Sequence, residues 1–429
     1  MTKKISILLS VLIIQILTAQ PQRQVAEQPF RNKFPFFAEV HVIPKDSVNI
    51  IDYVYKIPYN QLIFVKDDNK YKAGLNLTVE VYDTSGHFIA RQIKQSKIGV
   101  NEFSETNSPE LFSEGLIEFK LPNDEYNIMP NISDVQSGQS AKLEPYRVKK
   151  FNSENRRCLN PIIVNEKKIN IDGKAVFVLT NYEDSFPFDS KQYNLIIPCA
   201  DTSLQKIYVS IINNRDTIFT DFVSQSYLSG VAFEEYENKI ILNPKRNNQV
   251  FRNFILKNFS DKLSEGNVKI KISKDKGKDI LGTFDKNVIW YDKPFSLRNP
   301  EFAIKSLKYM ERDSVISKLL DGDKPGYPAE LERYWKKYDP TPGTKFNELM
   351  NEYYSRIDYA LKNFAPLTGR SGADTDRGRI FIKFGKPAKV ERSSDDNGKV
   401  VELWIYTKEN LSFMFVDKNG TGEFPLVKG

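Results

Sequence analysis

The amino-acid sequence predicts a multidomain, mainly β protein in which two N-terminal β-sandwich-like modules precede a C-terminal α+β domain. Its 429 residues exceed what one ordinary core holds, which predicts two or three domains. Up to about residue 295, apolar and polar residues alternate between turn-forming residues, as in antiparallel sheets. From residue 299, apolar residues recur at helical spacing before the alternation returns. With 40% hydrophobic residues the chain can build real cores, which excludes wholesale disorder.

The N-terminal segment has the composition of a secretory signal peptide. Lys3 and Lys4 precede the mostly apolar stretch 5–17, and the small residues Thr18 and Ala19 follow it. The stretch is shorter than the ~20 residues that a membrane-spanning helix needs. We therefore expect a cleaved signal peptide at 1–19, no transmembrane segment after cleavage, and a protein that is periplasmic, outer-membrane associated or secreted.

The net charge of +7 does not indicate a nucleic-acid partner. Lysines and arginines are scattered among nearly as many acids, and the sequence contains no block of five or more like charges. A protein that binds nucleic acid carries its positive charge in a cluster or stripe. We therefore expect no nucleic-acid partner.

Residues 30–152 have the pattern of a first β-sandwich-like module. Apolar residues occupy alternate positions from Leu75 to Val81, and the turn-forming residues 84–86 follow. Two more strands are expected on either side of the turn at 122–124. Alternation broken by Asp, Asn, Ser and Gly is typical of an antiparallel sheet with one buried face.

Residues 156–298 have the pattern of a second β-sandwich-like module, joined to the first by a polar stretch near residue 155. Within it, residues 213–216 are expected to form a hairpin turn. The module contains both cysteines of the chain, Cys158 and Cys199. In an exported protein they could form a disulfide that stabilises the fold by ~3–4 kcal/mol, and two separate buried thiols are the alternative.

Helical spacing begins at Asn299, which can cap a helix that starts at Pro300, and defines a domain at 299–429. A short helix is expected from Pro328 until the Asp-Pro step at 339–340. The longest predicted helix has Thr344 as its cap and an apolar stripe from Phe346 to Phe364. On its polar face, Glu352 and Arg356 are spaced four residues apart and are expected to form an ion pair. The remaining segment is expected to form strands that include 379–384, 400–406 and 411–416.

Three stretches of the last hundred residues resemble the bacterial GWxTD-domain family: residues 334–364, 372–387 and 401–406. The resemblance covers about 330–429. It implies an exported envelope protein in which β-sandwich modules precede the C-terminal domain, and it implies no established reaction. Ala373 stands where the family has its signature tryptophan. The other positions of the motif match: Gly372, Thr375, Asp376, Arg377, Gly378 and Arg379.

The stretch 371–379 is the candidate functional loop, for which two interpretations are open. In the first, Asp374 and Asp376 act as an acid/base pair while Arg377 and Arg379 bind an anionic substrate.

In the second interpretation the loop is structural. Gly372 and Gly378 then supply backbone angles that other residues resist, while Thr375 and Asp376 bond to backbone amides before a strand. Asp374 is then a solvent-facing turn residue, and Arg379 could pair with Asp376 or Glu352.

No catalytic residue, metal ligand or cofactor is assigned from the sequence. The two histidines, His41 and His87, lie far apart, which argues against a zinc site or a histidine-based nucleophilic catalyst. We expect a non-enzymatic interaction or scaffold protein of the cell envelope, with envelope proteins or cell-wall glycan as partners. The alternative is a cell-wall or polysaccharide hydrolase or binding enzyme that acts at the 372–379 loop.

Overall fold

The computed structural model describes residues 36–45, 48–150, 157–171, 173–243 and 249–429. The expected signal peptide at 1–19 lies outside the described residues. The predicted fold class is confirmed: a β-rich region of many sheets precedes C-terminal helices and a small sheet. None of the helices in these ranges is long and apolar enough to cross a membrane.

The N-terminal part forms two facing antiparallel sheets. Its strands are β1 (Phe37–Lys45), β2 (Val48–Pro58), β3 (Val65–Asp67), β4 (Lys70–Asp83), β5 (Phe88–Val100), β6 (Phe112–Pro122), β7 (Tyr126–Asp134), β8 (Ser140–Lys142) and β9 (Tyr146–Val148), with the short helix α1 (Phe103–Thr106) before β6. One sheet has the order β1-β2-β6, and the other has the order β3-β4-β7-β8, with β5 paired to β4 and β9 to β7. The alternate apolar residues Leu75 to Val81 of β4 are fully buried between the sheets, as their spacing predicts.

The middle part contains three further sheets. Its strands are β10 (Ile162–Asn165), β11 (Ile169–Ile171), β12 (Lys174–Val178), β13 (Phe186–Pro187), β14 (Tyr193–Cys199), β15 (Ile207–Asn213), β16 (Asp216–Val223), β17 (Ser226–Ser229), β18 (Phe233–Tyr236), β19 (Lys239–Leu242), β20 (Phe251–Leu256), β21 (Gly266–Asp275) and β22 (Lys278–Ile289). The sheet orders are β10-β14-β20-β17, β11-β12-β19-β18 and β13-β22-β21-β15-β16. The hairpin turn expected at 213–216 joins β15 to β16, and Asn214 has a left-handed φ of 56° there.

The N-terminal and middle parts share a hydrophobic core. Strand β2 is buried on both faces: Tyr53 and Tyr55 face the core of the N-terminal part, whereas Ile50 and Val54 pack with residues of the middle part. Ile196 on β14 belongs to this shared core, while its neighbours along the strand face the middle part's own core. The two strands are therefore buried on both faces and join the two parts through one apolar layer.

The C-terminal part contains helices followed by an antiparallel sheet. Its elements are α2 (Pro300–Ser306), α3 (Asp313–Leu319), α4 (Tyr327–Trp335), α5 (Glu348–Asn363), α6 (Asp376–Phe384), β23 (Lys389–Ser394), β24 (Val400–Tyr406), β25 (Leu411–Val416) and β26 (Leu426–Lys428). The four strands pair in sequence order. Phe364 on the helical side and Trp404 and Phe415 on the sheet side meet in one core.

Helix caps in this part follow the sequence at α2 but differ at α5. Asn299 accepts a hydrogen bond from the Phe302 amide at 3.1 Å, as its position before Pro300 predicts. The cap of α5 is Asn347, which accepts from the Met350 amide at 2.9 Å, so the prediction of Thr344 is wrong. The physical reason is that the Asn347 side chain also donates to the Trp335 carbonyl at 3.0 Å, which fixes the start of α5 against α4.

The stretch 379–384 is helical, so the prediction of a strand there is wrong. It belongs to α6, which begins at Asp376 and ends before Gly385. A run of apolar residues this short does not distinguish a strand from a helix. Two helix signals outweigh it: Thr375 caps the start, and Gly385 has a φ of 79°, which glycine adopts easily at a helix end.

Candidate functional site

The 371–379 stretch contains one 3-10 turn, Gly372–Asp374, then Thr375, and then the first residues of α6. Thr375 is fully buried at this junction. Its hydroxyl accepts a hydrogen bond from the Gly378 amide at 3.1 Å and donates to the Gly372 carbonyl at 2.7 Å. One side chain therefore joins the end of the turn to the first turn of the helix.

Gly372 and Gly378 are needed for close packing rather than for unusual backbone angles, so that part of the structural interpretation is wrong. Neither glycine has a positive φ. A Cβ atom on Gly372 would lie 2.2 Å from the Ala360 carbonyl oxygen of α5. A Cβ atom on Gly378 would lie 2.0 Å from the Gly372 carbonyl oxygen. The loop thus approaches α5 and α6 more closely than any side chain permits.

Arg377 is committed to the interior of the domain. Its side chain is 9% exposed, and Nη1 lies 3.2 Å from Glu402 Oε2 on β24. Nη2 donates to the Gly422 carbonyl at 2.8 Å, and the guanidinium lies 3.9 Å from the centre of the Phe424 ring. Glu402 also binds Arg392 and the Trp404 indole. This arrangement cannot hold a substrate anion without breaking a buried ion pair.

Asp376 and Arg379 have different surroundings. Asp376 Oδ2 accepts a hydrogen bond from the Leu426 amide at 2.9 Å, which fastens β26 to the start of α6. Arg379 is exposed. The partners suggested for it bind elsewhere, because Glu352 pairs with Arg356 at 2.6 Å, as the four-residue spacing predicts.

Asp374 is half-buried and has side-chain partners, which corrects its description as a solvent-facing turn residue. Its Oδ1 accepts a hydrogen bond from the Tyr309 hydroxyl at 3.0 Å and lies 2.8 Å from Lys308 Nζ. Burial raises the pKa of Asp374, but the hydrogen bonds from Lys308 and Tyr309 and the charges of Lys308 and Arg379 outweigh it, so the pKa is lowered from its ordinary value. Asp374 is therefore an ionised, partnered carboxylate.

A cleft of about 490 Å³ lies beside the turn. Of the four charged residues proposed for an active site, Asp374 alone lines it; Asp376, Arg377 and Arg379 do not. The acid/base pair and the two arginines therefore do not converge on one cavity. In the ranges that the structure describes, no group of three His, Cys, Asp or Glu side chains is placed to hold a metal ion.

Comparison with known proteins identifies the domain that carries this loop. The family model of the GWxTD domain matches residues 286–427. The chain carries a GWxTD domain. The match begins within β22, upstream of the boundary expected at residue 299. A comparison with curated proteins finds no match.

The solved structures that resemble this chain are remote. The C-terminal domain of the Streptococcus pyogenes antigen I/II-family protein AspA is 6% identical, with a TM-score of 0.17 over 59% of this chain and 99% of that one. The C-terminal domain of the Streptococcus agalactiae AgI/II polypeptide BspA is 9% identical, with a TM-score of 0.15 over 58% of this chain and 100% of that one. Scores this low carry no argument about function.

Glu402 is a key residue of the GWxTD domain that the sequence analysis missed. It lies on β24 at an alternate position to Trp404 and Tyr406, and all three are buried. An acid on the inward face of a strand must find a buried partner. That alternation was the available signal, and Arg377 is the partner. No comparable signal indicates Tyr309 and Lys308 as the partners of Asp374, because they lie in a turn about 65 residues away.

The two cysteines lie outside the GWxTD domain. Cys158 and Cys199 form a disulfide across 41 residues in the core of the middle part, and both are fully buried. The crosslink fastens the start of the middle part to the end of β14.

Proposed function

We propose that the chain is an exported, non-enzymatic interaction or scaffold protein of the cell envelope, whose β-sandwich-like parts and GWxTD domain contact envelope proteins or cell-wall glycan. The observation that carries the proposal is the use of the motif side chains within the fold. Thr375 caps α6, Asp376 holds β26, and Arg377 is paired with Glu402. Side chains committed in this way stabilise a domain and are poorly placed to bind a substrate.

The connection between the parts supports a scaffold. The N-terminal and middle parts share one core, and the middle part also packs on the GWxTD domain. There the ring of Phe188, from the middle part, lies 5.4 Å from the ring of Phe346, measured between centres. Shared cores hold adjacent binding surfaces in a fixed relation, which suits a protein that brings partners together.

The disulfide supports export. Disulfides persist in oxidising compartments and are rare in reducing ones. The basic start and the apolar stretch 5–17 have the composition of a signal peptide, which would direct the chain to such a compartment.

Mass spectrometry of the native protein, purified separately from envelope and cytoplasmic fractions, tests export. We expect the protein in the envelope fraction with an N-terminus near Gln20 and without thiols that react with iodoacetamide in denaturant. A cytoplasmic protein that begins at Met1 and has two reactive thiols would refute the proposal.

One observation favours the alternative, a cell-wall or polysaccharide binding enzyme or hydrolase. Asp374, an ionised carboxylate of the candidate loop, lines a cleft of about 490 Å³. Calorimetric titration of the protein with soluble cell-wall fragments distinguishes the two functions. If the alternative holds, the wild type binds or cleaves the fragments and the folded Asp374→Asn variant does not; otherwise the two proteins behave alike toward the fragments.

A further inference from the structure

The second motif position of this GWxTD domain has an unusual residue. The five letters of the motif name correspond to residues 372–376, and Ala373 occupies the position of the tryptophan. Ala373 is 1% exposed, and it lines the cleft beside the turn. This chain therefore has a small side chain at the wall of a cleft where the motif name specifies an indole.

The cleft has an apolar floor and is open at the surface. Ile316, Ile357 and Leu361 contribute aliphatic side chains, and Phe302, which is 36% exposed, stands at the edge. An apolar cavity of about 150 Å³ is enough to bind benzene. A cleft of about 490 Å³ therefore has room for an indole and for part of the chain that carries it.

The rim of the cleft complements the polar edge of an indole. Asp374 uses Oδ1 for its contacts with Tyr309 and Lys308. Within the described part of the chain, no hydrogen bond reaches Asp374 Oδ2. An indole has a positive edge and one N–H donor, and a buried indole needs an acceptor for that donor. The carboxylate at the rim supplies one.

We propose that this cleft binds the tryptophan side chain of a partner polypeptide, which enters the space left beside Ala373. The ring packs on the aliphatic floor, and its N–H donates to Asp374. The inference deepens the proposed interaction function by naming the partner's chemistry. It rests on that function only for the claim that the tryptophan belongs to another protein.

The test uses the purified full chain and the blocked amino acid N-acetyl-tryptophanamide as a probe. We expect the probe to bind saturably and to raise the melting temperature, whereas N-acetyl-leucinamide does neither. Ala373→Trp places an indole on the chain itself and fills the cleft. The affinity of this variant for the probe falls by about tenfold or more, and its own melting temperature without probe rises.

Leu367→Trp is the matched control, because it adds the same ring at a position that is 88% exposed and outside the cleft. It binds the probe as the wild type does. Should Ala373→Trp fail to fold, Ala373→Leu replaces it and is expected to weaken binding by a smaller factor.

The proposal is overturned by no binding of N-acetyl-tryptophanamide to the wild type, by equal binding of the leucine analogue, or by undiminished binding to the folded variant at position 373. Binding of free indole without binding of the blocked amino acid also overturns it, because it indicates a small-molecule ligand. These measurements do not depend on where the protein resides in the cell, so their failure leaves the export proposal intact. Failure of the export test likewise leaves the binding result intact.

Discussion

At the scale of single residues, the GWxTD motif is a set of close contacts around the start of α6. Gly372 lies against α5, Gly378 lies against Gly372, and Thr375 bonds to both glycines. Arg377 and Asp376 then reach the sheet at Glu402 and Leu426. Each contact has a different cost when it is lost, so single substitutions can measure each one.

Gly378→Ala should destabilise the protein through steric overlap. Its Cβ would lie 2.0 Å from a backbone oxygen, which cannot rotate away as a side chain could. We expect a loss of ~1–3 kcal/mol in the free energy of unfolding, measured by urea denaturation. Gly343→Ala is the control, since nothing lies within 4 Å of its Cβ, and it should stay within ~0.5 kcal/mol. Equal stability of the two variants would contradict the packing explanation.

Glu402→Gln should be strongly destabilising because it leaves the buried Arg377 without its carboxylate. Removing one partner of a buried ion pair typically costs about 3–5 kcal/mol, and the retained amide should hold the loss near the lower end. Glu391→Gln, on the neighbouring strand, removes a carboxylate whose side chain is 46% exposed and should cost under ~0.5 kcal/mol. Guanidinium denaturation of both variants measures the difference. A loss below ~1 kcal/mol at position 402 would show that the pair is not important for stability.

Asp374 should contribute a pH-dependent stability. Its pKa in the folded protein is lowered, so its contribution is present above the unfolded value of about 3.9 and is lost as the pH falls through the folded pKa. Asp374→Asn should therefore cost about 1 kcal/mol at neutral pH, and the difference from wild type should shrink as the pH falls below ~4. Asp396→Asn, at an exposed position, should show no such trend. A difference at position 374 that stays constant with pH would exclude the ionic contribution.

At the scale of elements, the sequence predicts most of the strands and helices because their faces are regular. The alternation in β4 and the stripe of α5 have the periods of the structures that they form. The cap of α5 could not be predicted, because Thr344 and Asn347 are both good caps and the contact of Asn347 with Trp335 decides between them. The helix α6 was missed because its apolar run is short. Its caps, Thr375 and Gly385, are visible in the sequence.

Truncation tests where the GWxTD domain begins. Trp290 and Leu297 lie in the core of this domain, and Asp358 on α5 accepts hydrogen bonds from the amides of Phe295 and Ser296. A fragment 299–429 lacks Trp290, Phe295, Ser296 and Leu297 and leaves Asp358 without these partners, whereas 286–429 keeps all of them.

We expect 286–429 to be more stable than 299–429 by ~3–5 kcal/mol, the cost of removing a large buried aromatic side chain. Thermal unfolding of both fragments, monitored by circular dichroism, measures this difference in stability. Identical melting of the two fragments would place the boundary at residue 299.

At the scale of the whole molecule, packing between parts is what the sequence does not reveal. Ile50, Val54 and Ile196 come from distant segments and meet in one core. In the sequence they are apolar residues in strands that are buried on both faces, a pattern that does not say which partner covers each face. The partners of the candidate loop are hidden for the same reason. The sequence indicates the residues of the loop, but their partners on β24 and β26 depend on the tertiary fold.

Thr375→Val distinguishes a motif that stabilises the GWxTD domain from one that carries out chemistry. The substitution keeps the shape of the side chain and removes both hydrogen bonds of a fully buried hydroxyl. Thr368→Val makes the same change at an exposed position.

For the full chain, the free energy of unfolding and the binding or turnover of cell-wall fragments are measured together. We expect Thr375→Val to lose ~1–3 kcal/mol relative to Thr368→Val, and we expect any fragment binding to be the same in both folded proteins. Equal stability together with binding or turnover that disappears only in Thr375→Val would contradict this expectation.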